Sequence, residues 1–522
     1  MNNSRMNAVS RSLTLLVAGY ATVVVMFAAV LIRWSDNFFV DDSYFYFQVA
    51  WNIARGMGST FNTVMPTNGY HPLWMLFCIL NFKLFASKAT AVHGIGALIS
   101  LLDIGALLLL ARTLRRAAPG AWWCAVTIYA PFCFLTQLGT EGALSGFCLA
   151  AYVAAAYALF SNSDNLRGFL FALTGALAVL SRLDNIFVVG LVYLAMLLAA
   201  PGAQGVRARR FALLWSPLAL ALCGTYLVTN EIWFGTLQPI SGILKEHSRG
   251  EGAHIKSLPH IASYGLGMIV PCLAVLARYR RDAFFRLVEA PFALGVLLHA
   301  AYILFVMSGE TRWSWYYTSW ILLSSILVSR VVSLVMESQP ERVRLVFASI
   351  ALLLLFGVWE RGSYRAFAHP TQNAKGEGFE ENLADRLHVH TAIAFDKPGR
   401  MAYYTDVPIV ALDGLMGDLT FQQDLAAKGI VAFDASNGVD AFVGPPVPFD
   451  QGGKEIYCDQ RFLSSVQFHC LPYGAGRWMP DGVEVFARLS GQSAGSLSLP
   501  AGTLEWNQPG LVSVWRLPMP RR

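Results

Sequence analysis

The chain has 522 residues, of which 55% are hydrophobic and 14% charged, and its formal net charge is +6 at pH 7. This composition is too apolar for a soluble enzyme, and the apolar residues fall in blocks of about 20, the length that spans a bilayer. The basic residues lie in short clusters between these blocks and form no stripe, which predicts membrane lipid and not nucleic acid as a partner.

The apolar blocks predict about 11 transmembrane helices. The first, Leu13 to Ile32, follows Arg5 and Arg11 without a small-residue cleavage site, so we interpret it as an uncleaved anchor. Further blocks lie near 90–111, 121–138, 142–160, 168–181, 185–200, 211–229, 259–278, 286–307, 315–335 and 343–358. A shorter block, 72–86, carries Asn81 and Lys83.

Positive charge decides whether block 72–86 spans the bilayer. If it does not, every arginine cluster between the later blocks lies on the same side as the N-terminus, which the positive-inside rule makes cytoplasmic. If it does, all of them lie outside. We therefore predict an interfacial or re-entrant helix at 72–86, a first outer loop at 33–71 and a membrane domain over 1–358. The clusters are Arg112/Arg115/Arg116, Arg207/Arg209/Arg210, Arg278/Arg280/Arg281/Arg286 and Arg342/Arg344.

The composition changes after residue 358, and 359–522 is predicted to be an extracytoplasmic α/β domain. The predicted strands are TAIAF, MAYYT, VPIVAL, VDAFVG and GLVSVWRL, and the predicted helices are FEENLADRLH and LTFQQDLAAKG. Cys458 and Cys470 are the two cysteines of this domain. A disulfide between them would fit an oxidising compartment, and two unrelated thiols are the alternative.

Two adjacent carboxylates, Asp41 and Asp42, open the stretch DDSYFYFQVAWNIARG at the edge of the first span. The pattern predicts a helix on the bilayer surface, with Asp42 or Ser43 as N-cap and Gly56 as its stop. A capping role explains only one of the two carboxylates, and charges near lipid are costly and usually functional. Both interpretations, a helix cap and a functional pair, therefore stay open at this point.

The segment DDSYFYFQVAWNIARGMGSTFNTVMPTNGYHPLW (41–74) resembles the first outer loop of the GT-C membrane glycosyltransferases, and within them a bacterial arabinofuranosyltransferase branch. LGTEGAL, LSRLDN and FGTLQPISGILK resemble three later motifs of the family, with Gly142, Leu183 and Ile240 where Thr, Pro and Asn are usual. GRMAYYTDVPIVALDGLMGD (399–418) resembles a run in the outer domain of the branch.

The resemblance implies a multi-pass α-helical protein of the bacterial inner membrane whose active site faces outward. It implies transfer of a sugar, arabinofuranose before mannose or another hexose, from a polyprenyl phosphate to a hydroxyl of a glycan or protein. Some relatives use a divalent metal ion, and that cofactor is left open here. In such a reaction the acceptor hydroxyl loses a proton and the leaving phosphate needs cationic partners.

We therefore predict Asp41 as general base and Asp42 as a group that orients the acceptor or binds a metal, with the reverse assignment open. Lys245 and Arg312, supported by His247 and Arg249, are the predicted partners of the leaving phosphate, although basic residues near span ends also snorkel to the interface. The predicted substrate-binding residues are Tyr44, His71, Glu141, Arg182, Asp184 and Tyr316. Glu141, Arg182 and Asp184 could instead hold helices together, and Tyr316 could belong to an interfacial aromatic belt.

Two other classes compete with an enzyme. A lipid-carrier transporter should place polar residues near the bilayer midplane in broken helices of matching halves, whereas here they gather at the predicted outer side. A non-catalytic scaffold that presents a sugar-binding domain is the second alternative.

Overall fold

The structure is a computed structural model that describes residues 3–136, 139–198, 202–247, 267–277, 281–307 and 313–368. Of the remaining chain it describes 390–394, 398–405, 407–411, 415–418, 420, 441–444, 456–458, 470–472, 503–508 and 512–516.

Helices dominate the part before residue 369. They are α1 (Asn3–Arg33), α2 (Ser35–Phe38), α3 (Asp41–Ala54), α4 (Pro72–Leu84), α5 (Lys88–Ala117), α6 (Trp122–Thr136), α7 (Gly142–Ser161), α8 (Asn165–Ser181), α9 (Ile186–Leu198), α10 (Gly202–Phe234), α11 (Ile240–His247), α12 (Gly267–Leu276), α13 (Ala290–Phe305), α14 (Thr318–Met336) and α15 (Glu341–Ala368). A 3₁₀ turn covers Leu183–Asn185, another covers Ser314–Tyr317, and a π-turn covers Phe285–Glu289.

The chain is a multi-pass α-helical membrane protein. Within the described residues, seven helical segments are long and apolar enough to cross a bilayer, and α6, α8, α9 and α12 are shorter apolar helices that coincide with four more predicted spans. Helix α15 continues to Ala368, beyond the predicted domain boundary at 358.

Helix α4 coincides with the predicted interfacial helix. Its 13 residues reach about 20 Å, less than the thickness of a hydrocarbon core of about 30 Å. Hydrogen bonds from side chains connect α4 to the elements before and after it. The Asn81 amide donates to the Ala91 carbonyl of α5 at 2.9 Å, and Arg55, which follows α3, donates to the Phe82 carbonyl at 3.3 Å.

Helix α3 differs from the prediction in two respects. Its N-cap is Val40, so Asp41 and Asp42 are its first two helical residues and not its caps. It does not expose a polar face on the bilayer surface, because Ser43 to Ala50 and Asn52 are all buried. The Asn52 amide donates to the Thr60 carbonyl at 2.8 Å, so the loop that follows α3 covers the face that the sequence predicted to be exposed to water. The helix does end before Gly56, whose φ of +80° is a conformation that glycine adopts readily.

One end of the helical bundle collects the arginines, and we call it the arginine-rich end. Arg330 near the end of α14 donates to the Ala117 carbonyl at the end of α5 and to the Asp282 carboxylate. Arg344 packs against Gly120. The first turns of α10 are fixed there as well, since Gln204 donates to the Ser161 carbonyl. The described arginines of the predicted clusters therefore gather at one end, as the interfacial placement of α4 requires.

The described part of the C-terminal region contains α16 (Pro398–Tyr404) and strands β1 (Ala392–Ala394), β2 (Ile409–Ala411), β3 (Ala441–Gly444), β4 (Ile456–Cys458), β5 (Cys470–Pro472), β6 (Thr503–Gln508) and β7 (Val512–Arg516). A five-stranded sheet runs β2-β1-β3-β7-β6, with β1 parallel to β2 and β3, and β7 antiparallel to β3 and β6. This mixture of helix and parallel and antiparallel strands is the predicted α/β composition.

Four predicted strands are present, but MAYYT was wrong, because its residues belong largely to α16. The predicted helices at 379–388 and over most of 419–429 lie outside the described residues. Strands β4 and β5 pair with Cys458 opposite Cys470. Opposed residues of antiparallel strands have Cα atoms about 4.5–5.5 Å apart, a separation that a disulfide can bridge, and the bond itself stays a prediction.

Candidate functional site

Four charged or titratable residues form a buried group at the end of the bundle opposite the arginine-rich end, and we call them the Arg182 cluster: Glu141, Arg182, Asp184 and His299. The Arg182 guanidinium donates to Glu141 Oε1 at 2.5 Å and to both oxygens of Asp184 at 2.9 and 2.6 Å. His299 Nε2 lies 3.1 Å from Asp184 Oδ2. Arg182 and Glu141 are only 3% exposed, so the group is shielded from water.

The backbone that carries this cluster is built from helix ends. Arg182 stands in an extended conformation between α8 and the 3₁₀ turn that leads into α9. Asn185 fixes the turn by donating to Ser145 Oγ and to the Ala178 carbonyl, each at 2.9 Å. Glu141 directly precedes α7, which is about 30 Å long and has its other end near the arginine-rich end. The cluster therefore lies where several helices end on one face.

The protonation states of the cluster follow from its contacts. Burial alone would raise the pKa of the Asp184 carboxyl, but the Arg182 guanidinium and the His299 ring hold that pKa well below its usual range. The Trp320 indole N–H donates to His299 Nδ1 at 3.1 Å, so the remaining proton of a neutral ring sits on Nε2, toward Asp184. Arg182 also lies 4.7 Å from the Tyr316 ring centroid, a cation–π distance.

Helix α3 joins this cluster through Tyr46. Its hydroxyl donates to Glu141 Oε2 at 3.0 Å and accepts the His71 backbone N–H at 3.2 Å. The His71 ring reaches the same carboxylate, with Nε2 3.7 Å from Glu141 Oε1. Burial and the adjacent Glu141 raise the pKa of Tyr46 well above its ordinary value, which keeps the hydroxyl a donor.

A second group, which we call the Asp41 cluster, connects α3 to the C-terminal region: Asp36, Asp41, Tyr44, Arg400 and Tyr404. Asp41 accepts the backbone N–H of Gly399 at 3.1 Å and that of Arg400 at 2.8 Å. The Arg400 side chain donates to the Tyr44 hydroxyl at 2.9 Å. Asp36 accepts the hydroxyls of Tyr44 at 2.9 Å and Tyr404 at 2.6 Å. Asp41 therefore caps α16, from a position 358 residues earlier in the chain.

The two carboxylates at the start of α3 face different clusters. Residues three or four apart share a helix face, so Asp42 shares the face of Tyr46, and Asp41 shares the face of Tyr44. Tyr46 binds Glu141, whereas Tyr44 binds Asp36. Asp42 is thus on the side of the Arg182 cluster, and Asp41 is on the side of the C-terminal region.

The loop before α4 brings a further motif to this end. The Asn68 amide donates to Asn230 Oδ1 at 3.3 Å, and its carbonyl oxygen accepts the Ile240 N–H at 3.2 Å. Gly69 approaches the Leu415 carbonyl so closely that a Cβ would lie 1.9 Å from that oxygen. Lys245 follows Ile240 on α11, about 7.5 Å further along the helix axis.

The structure thus brings together eight of the predicted site residues: Asp41, Asp42, Tyr44, His71, Glu141, Arg182, Asp184 and Tyr316. The backbones of Lys245 and His247 are described as part of α11, while Arg249 and Arg312 lie outside the described residues. Within the described part of the chain, no group of three or more His, Cys, Asp or Glu side chains has the arrangement of a metal site.

Several contributors were missed in the sequence. His299 and Trp320 each lie inside an apolar helix, and a single polar group in such a helix is a weak indication of a functional site. Asp36 and Arg400 were within or beside quoted motifs, but no local pattern pairs them. Arg400 is 2% exposed, and its partners on α3 explain how a buried arginine is accommodated.

A structural comparison finds this architecture in another membrane protein, ArnT from Cupriavidus metallidurans, whose crystal structure was determined in the apo state. The two chains are 15% identical, and the match covers 82% of this chain and 94% of ArnT with a TM-score of 0.52. ArnT has the GT-C fold. This chain therefore has the GT-C fold.

A second solved structure similar to this chain is the archaeal oligosaccharyltransferase AglB from Archaeoglobus fulgidus, in complex with an inhibitory peptide and a dolichol-phosphate. It is 11% identical over 82% of this chain and 69% of AglB, with a TM-score of 0.47. No protein-family profile and no curated protein sequence matches the chain.

Proposed function

We propose that this GT-C chain is a glycosyltransferase that moves a sugar from a polyprenyl phosphate to a hydroxyl of an extracytoplasmic glycan or protein. Arabinofuranose is the first candidate for the sugar, from the resemblance of the motifs. The observation that carries the proposal is the convergence at one end of the bundle of Asp42, the loop at His71 and the Arg182 cluster, which come from separate parts of the chain.

We assign proton removal to the acidic pair and favour Asp42 within it. Both oxygens of Asp41 accept backbone N–H groups of α16, and an accepted hydrogen bond stabilises the ionised form and weakens the base. Asp42 occupies the second position of α3 and shares the face of Tyr46, on the side of the Arg182 cluster. Asp41 then positions the C-terminal region over the site.

The proposed reaction is a single displacement. The acceptor oxygen attacks the anomeric carbon, its proton passes to the Asp42 carboxylate, and the bond from that carbon to the phosphate oxygen breaks. The electron pair leaves with the polyprenyl phosphate, and the anomeric configuration is inverted. General base catalysis of this kind contributes roughly 10²–10⁴-fold to a rate.

The leaving phosphate needs cations, and Lys245 is the first candidate. The hydrogen bond from Ile240 to Asn68 anchors the start of α11 to the same outer loop that carries His71. Arg312, His247 and Arg249 complete the proposed set. The proposed step is written with the protein's own residues, and the divalent metal ion stays open.

The Arg182 cluster has a positioning role in this proposal. Within the described residues, each oxygen of Glu141 and Asp184 has a donor at hydrogen-bond distance, and Arg182 is committed to those two acids. A group whose carboxylate oxygens are all occupied by Arg182 and Tyr46 holds three helix ends together, and it fixes the start of α3 through Tyr46. This role is the alternative in which Glu141, Arg182 and Asp184 hold helices together, and we propose that the cluster does so beside the base.

The orientation follows from charge. The positive-inside rule makes the arginine-rich end cytoplasmic and places the Arg182 cluster at the outer surface. A lipid-linked donor presents its phosphate and sugar at that surface, which supports an outward-facing transfer.

Mass spectrometry of surface glycoconjugates tests the proposal, using cells that lack the protein and are complemented with variants. Wild type should add a pentose to a surface glycan, and a hexose would identify the alternative donor. Asp42→Asn should lower transfer about 10²–10⁴-fold because the base is lost. Asp41→Asn should lower it about tenfold, because one carbonyl oxygen can still accept from α16.

Asp164→Asn serves as the matched control, because Asp164 lies between α7 and α8 near the arginine-rich end and its side chain is 46% exposed. The opposite ranking, with Asp41→Asn inactive and Asp42→Asn active, would return the base to Asp41. Full glycosylation in the double variant would remove the enzymatic assignment of the pair.

A further inference from the structure

A basic and aromatic surface lies where α4 ends and α5 begins. We call it the Lys83 surface, and its members are Trp51, Arg55, Lys83 and Lys88. The Arg55 guanidinium donates to the carbonyls of Phe82 and Ala86, each at 3.3 Å. Its carbon lies 3.3 Å from the Trp51 ring centroid, and Lys88 Nζ lies 5.7 Å from the same centroid, so two cations share one ring. Lys83 adjoins them, because it follows Phe82 in the last turn of α4.

The positive charge of this surface is not balanced by the surrounding chain. The sequence contains no aspartate or glutamate between Asp42 and Asp103, an interval that contains all four members. Arg55 and Lys83 are exposed, and neither forms an ion pair within the described part of the chain. Asp36 of α2 already accepts two tyrosine hydroxyls. The surface therefore attracts an anion from outside the chain.

The exposed face of α4 is apolar. Leu76, Leu80 and Leu84 are four residues apart and therefore share one face of the helix, and all three are exposed, Leu84 to 81%. The opposite face packs on the protein through the buried side chains of Trp74 and Phe82. In a chain that spans a membrane, an exposed stripe of leucine is suited to acyl chains, and a basic residue at the end of such a helix reaches the head groups.

This surface is separate from the proposed active site. Helix α4 begins directly after His71, whose ring reaches Glu141, whereas the Lys83 surface lies at the other end of the helix, about 20 Å away. A lipid phosphate at the Lys83 surface is therefore a different group from the proposed donor phosphate.

We propose that the Lys83 surface binds the head group of an acidic phospholipid, while the leucine face of α4 lies against its acyl chains. Lys83 donates to the phosphate, together with the N–H groups of Arg55 that its two carbonyl contacts leave unused. The Trp51 ring lies at the level of the head group, where indole rings are common. Phosphatidylglycerol has a net negative charge that these cations attract, whereas phosphatidylcholine adds a choline cation, which the same cations repel.

Spin-label quenching tests this preference at one place on the full-length protein. A fluorescent amino acid incorporated at position 84, in place of the exposed leucine, reports on lipids beside the Lys83 surface. The protein is reconstituted in phosphatidylcholine nanodiscs with increasing amounts of phosphatidylglycerol or phosphatidylcholine that carries a nitroxide near the head group. We expect half-maximal quenching at a mole fraction of labelled phosphatidylglycerol at least tenfold lower than that of labelled phosphatidylcholine.

Substitutions of Lys83 identify the charge that selects the lipid. Lys83→Gln should reduce the preference about fivefold, the effect of one basic residue at an acidic lipid surface. Lys83→Arg keeps the charge and should retain the preference. Arg115→Gln removes an exposed arginine at the arginine-rich end, so it is the matched control and should leave the quenching unchanged. Both positions are exposed, so these variants should fold as the wild type does.

Equal quenching of the wild type by the two labelled lipids would overturn the proposal, because α4 would then face lipid without selecting a head group. An unchanged preference in Lys83→Gln would overturn it as well. So would relief of the quenching by unlabelled undecaprenyl phosphate at a lower mole fraction than unlabelled phosphatidylglycerol requires, because the surface would then bind the donor carrier. None of these readouts depends on glycosyl transfer, so they are independent of the proposed function.

Discussion

Each end of the bundle contains an arginine held between two carboxylates. Arg182 lies between Glu141 and Asp184 at the proposed outer end, and Arg330 lies between Asp282 and Glu289 at the arginine-rich end. The two groups have the same formal charge. They differ in how completely their hydrogen-bonding capacity is used.

At the proposed outer end, Tyr46 supplies a donor to Glu141 beyond those of the arginine, and His299 Nε2 lies 3.1 Å from Asp184 Oδ2. At the arginine-rich end, Glu289 Oε2 has no partner within the described residues, and a cavity adjoins the group. A carboxylate whose oxygens all have donors is fixed relative to its neighbours, which suits the Arg182 cluster to a positioning role.

Removal of the central arginines should produce the largest difference between the two ends. Arg182→Met leaves two buried carboxylates without their cation, and breaking a buried pair in this way costs about 3–5 kcal/mol. Arg330→Met should cost less, because the Asp282 side chain is 34% exposed and can return to water. The midpoint of thermal unfolding in detergent measures both.

The triple variant Arg182→Met, Glu141→Gln, Asp184→Asn is the control for this comparison. It removes the stranded charges along with the arginine, so it should recover most of the stability lost in Arg182→Met. If the triple variant unfolds as early as the single one, packing and not charge explains the loss.

Much of the membrane domain could be predicted, because span length and arginine placement are local or additive signals. The bounds of α4 are an example, since the block that carries Asn81 and Lys83 forms a helix of 13 residues, which is too short to span. The sequence also predicted that the motifs near Asp42, His71 and Arg182 lie at the same end of the bundle, because each motif stands at the corresponding end of a predicted span.

The rest depended on contacts between distant residues. MAYYT has the composition of a strand, but Asp41 caps the helix that contains it, and a cap supplied by another part of the chain leaves no local pattern. The Trp320 contact that sets the His299 tautomer likewise joins two apolar helices. The N-cap of α3 was misassigned because Asp41 and Asp42 both resemble caps, whereas the backbone of Val40 takes that position.

Loss of a single hydroxyl should produce a smaller difference in stability between the two ends of the bundle. Tyr46→Phe removes the donor to Glu141 Oε2 and the acceptor of the His71 N–H. A hydrogen bond to a charged group contributes about 1.5–3 kcal/mol, so the variant should be destabilised by about that much. Tyr157→Phe, whose ring packs against Phe284 at the arginine-rich end, is the matched control and should change stability little. Equal effects of the two variants on the unfolding midpoint would contradict the positioning role of Tyr46.

The smallest expected effect is a pH dependence of the protein's stability that arises from Asp184 in the Arg182 cluster. The pKa of Asp184 is held well below its usual value of about 3.9 by Arg182 and His299, despite its burial. A carboxyl with a lowered folded-state pKa stabilises the fold fully above its unfolded pKa, and this contribution is lost as the pH falls through the folded pKa. Wild type should therefore be more stable than Asp184→Asn at pH 6, and the difference should shrink below about pH 4. Unfolding midpoints of both proteins across this range measure it, and a difference that stays constant down to the acid limit would mean that Asp184 acts through packing and not through its charge.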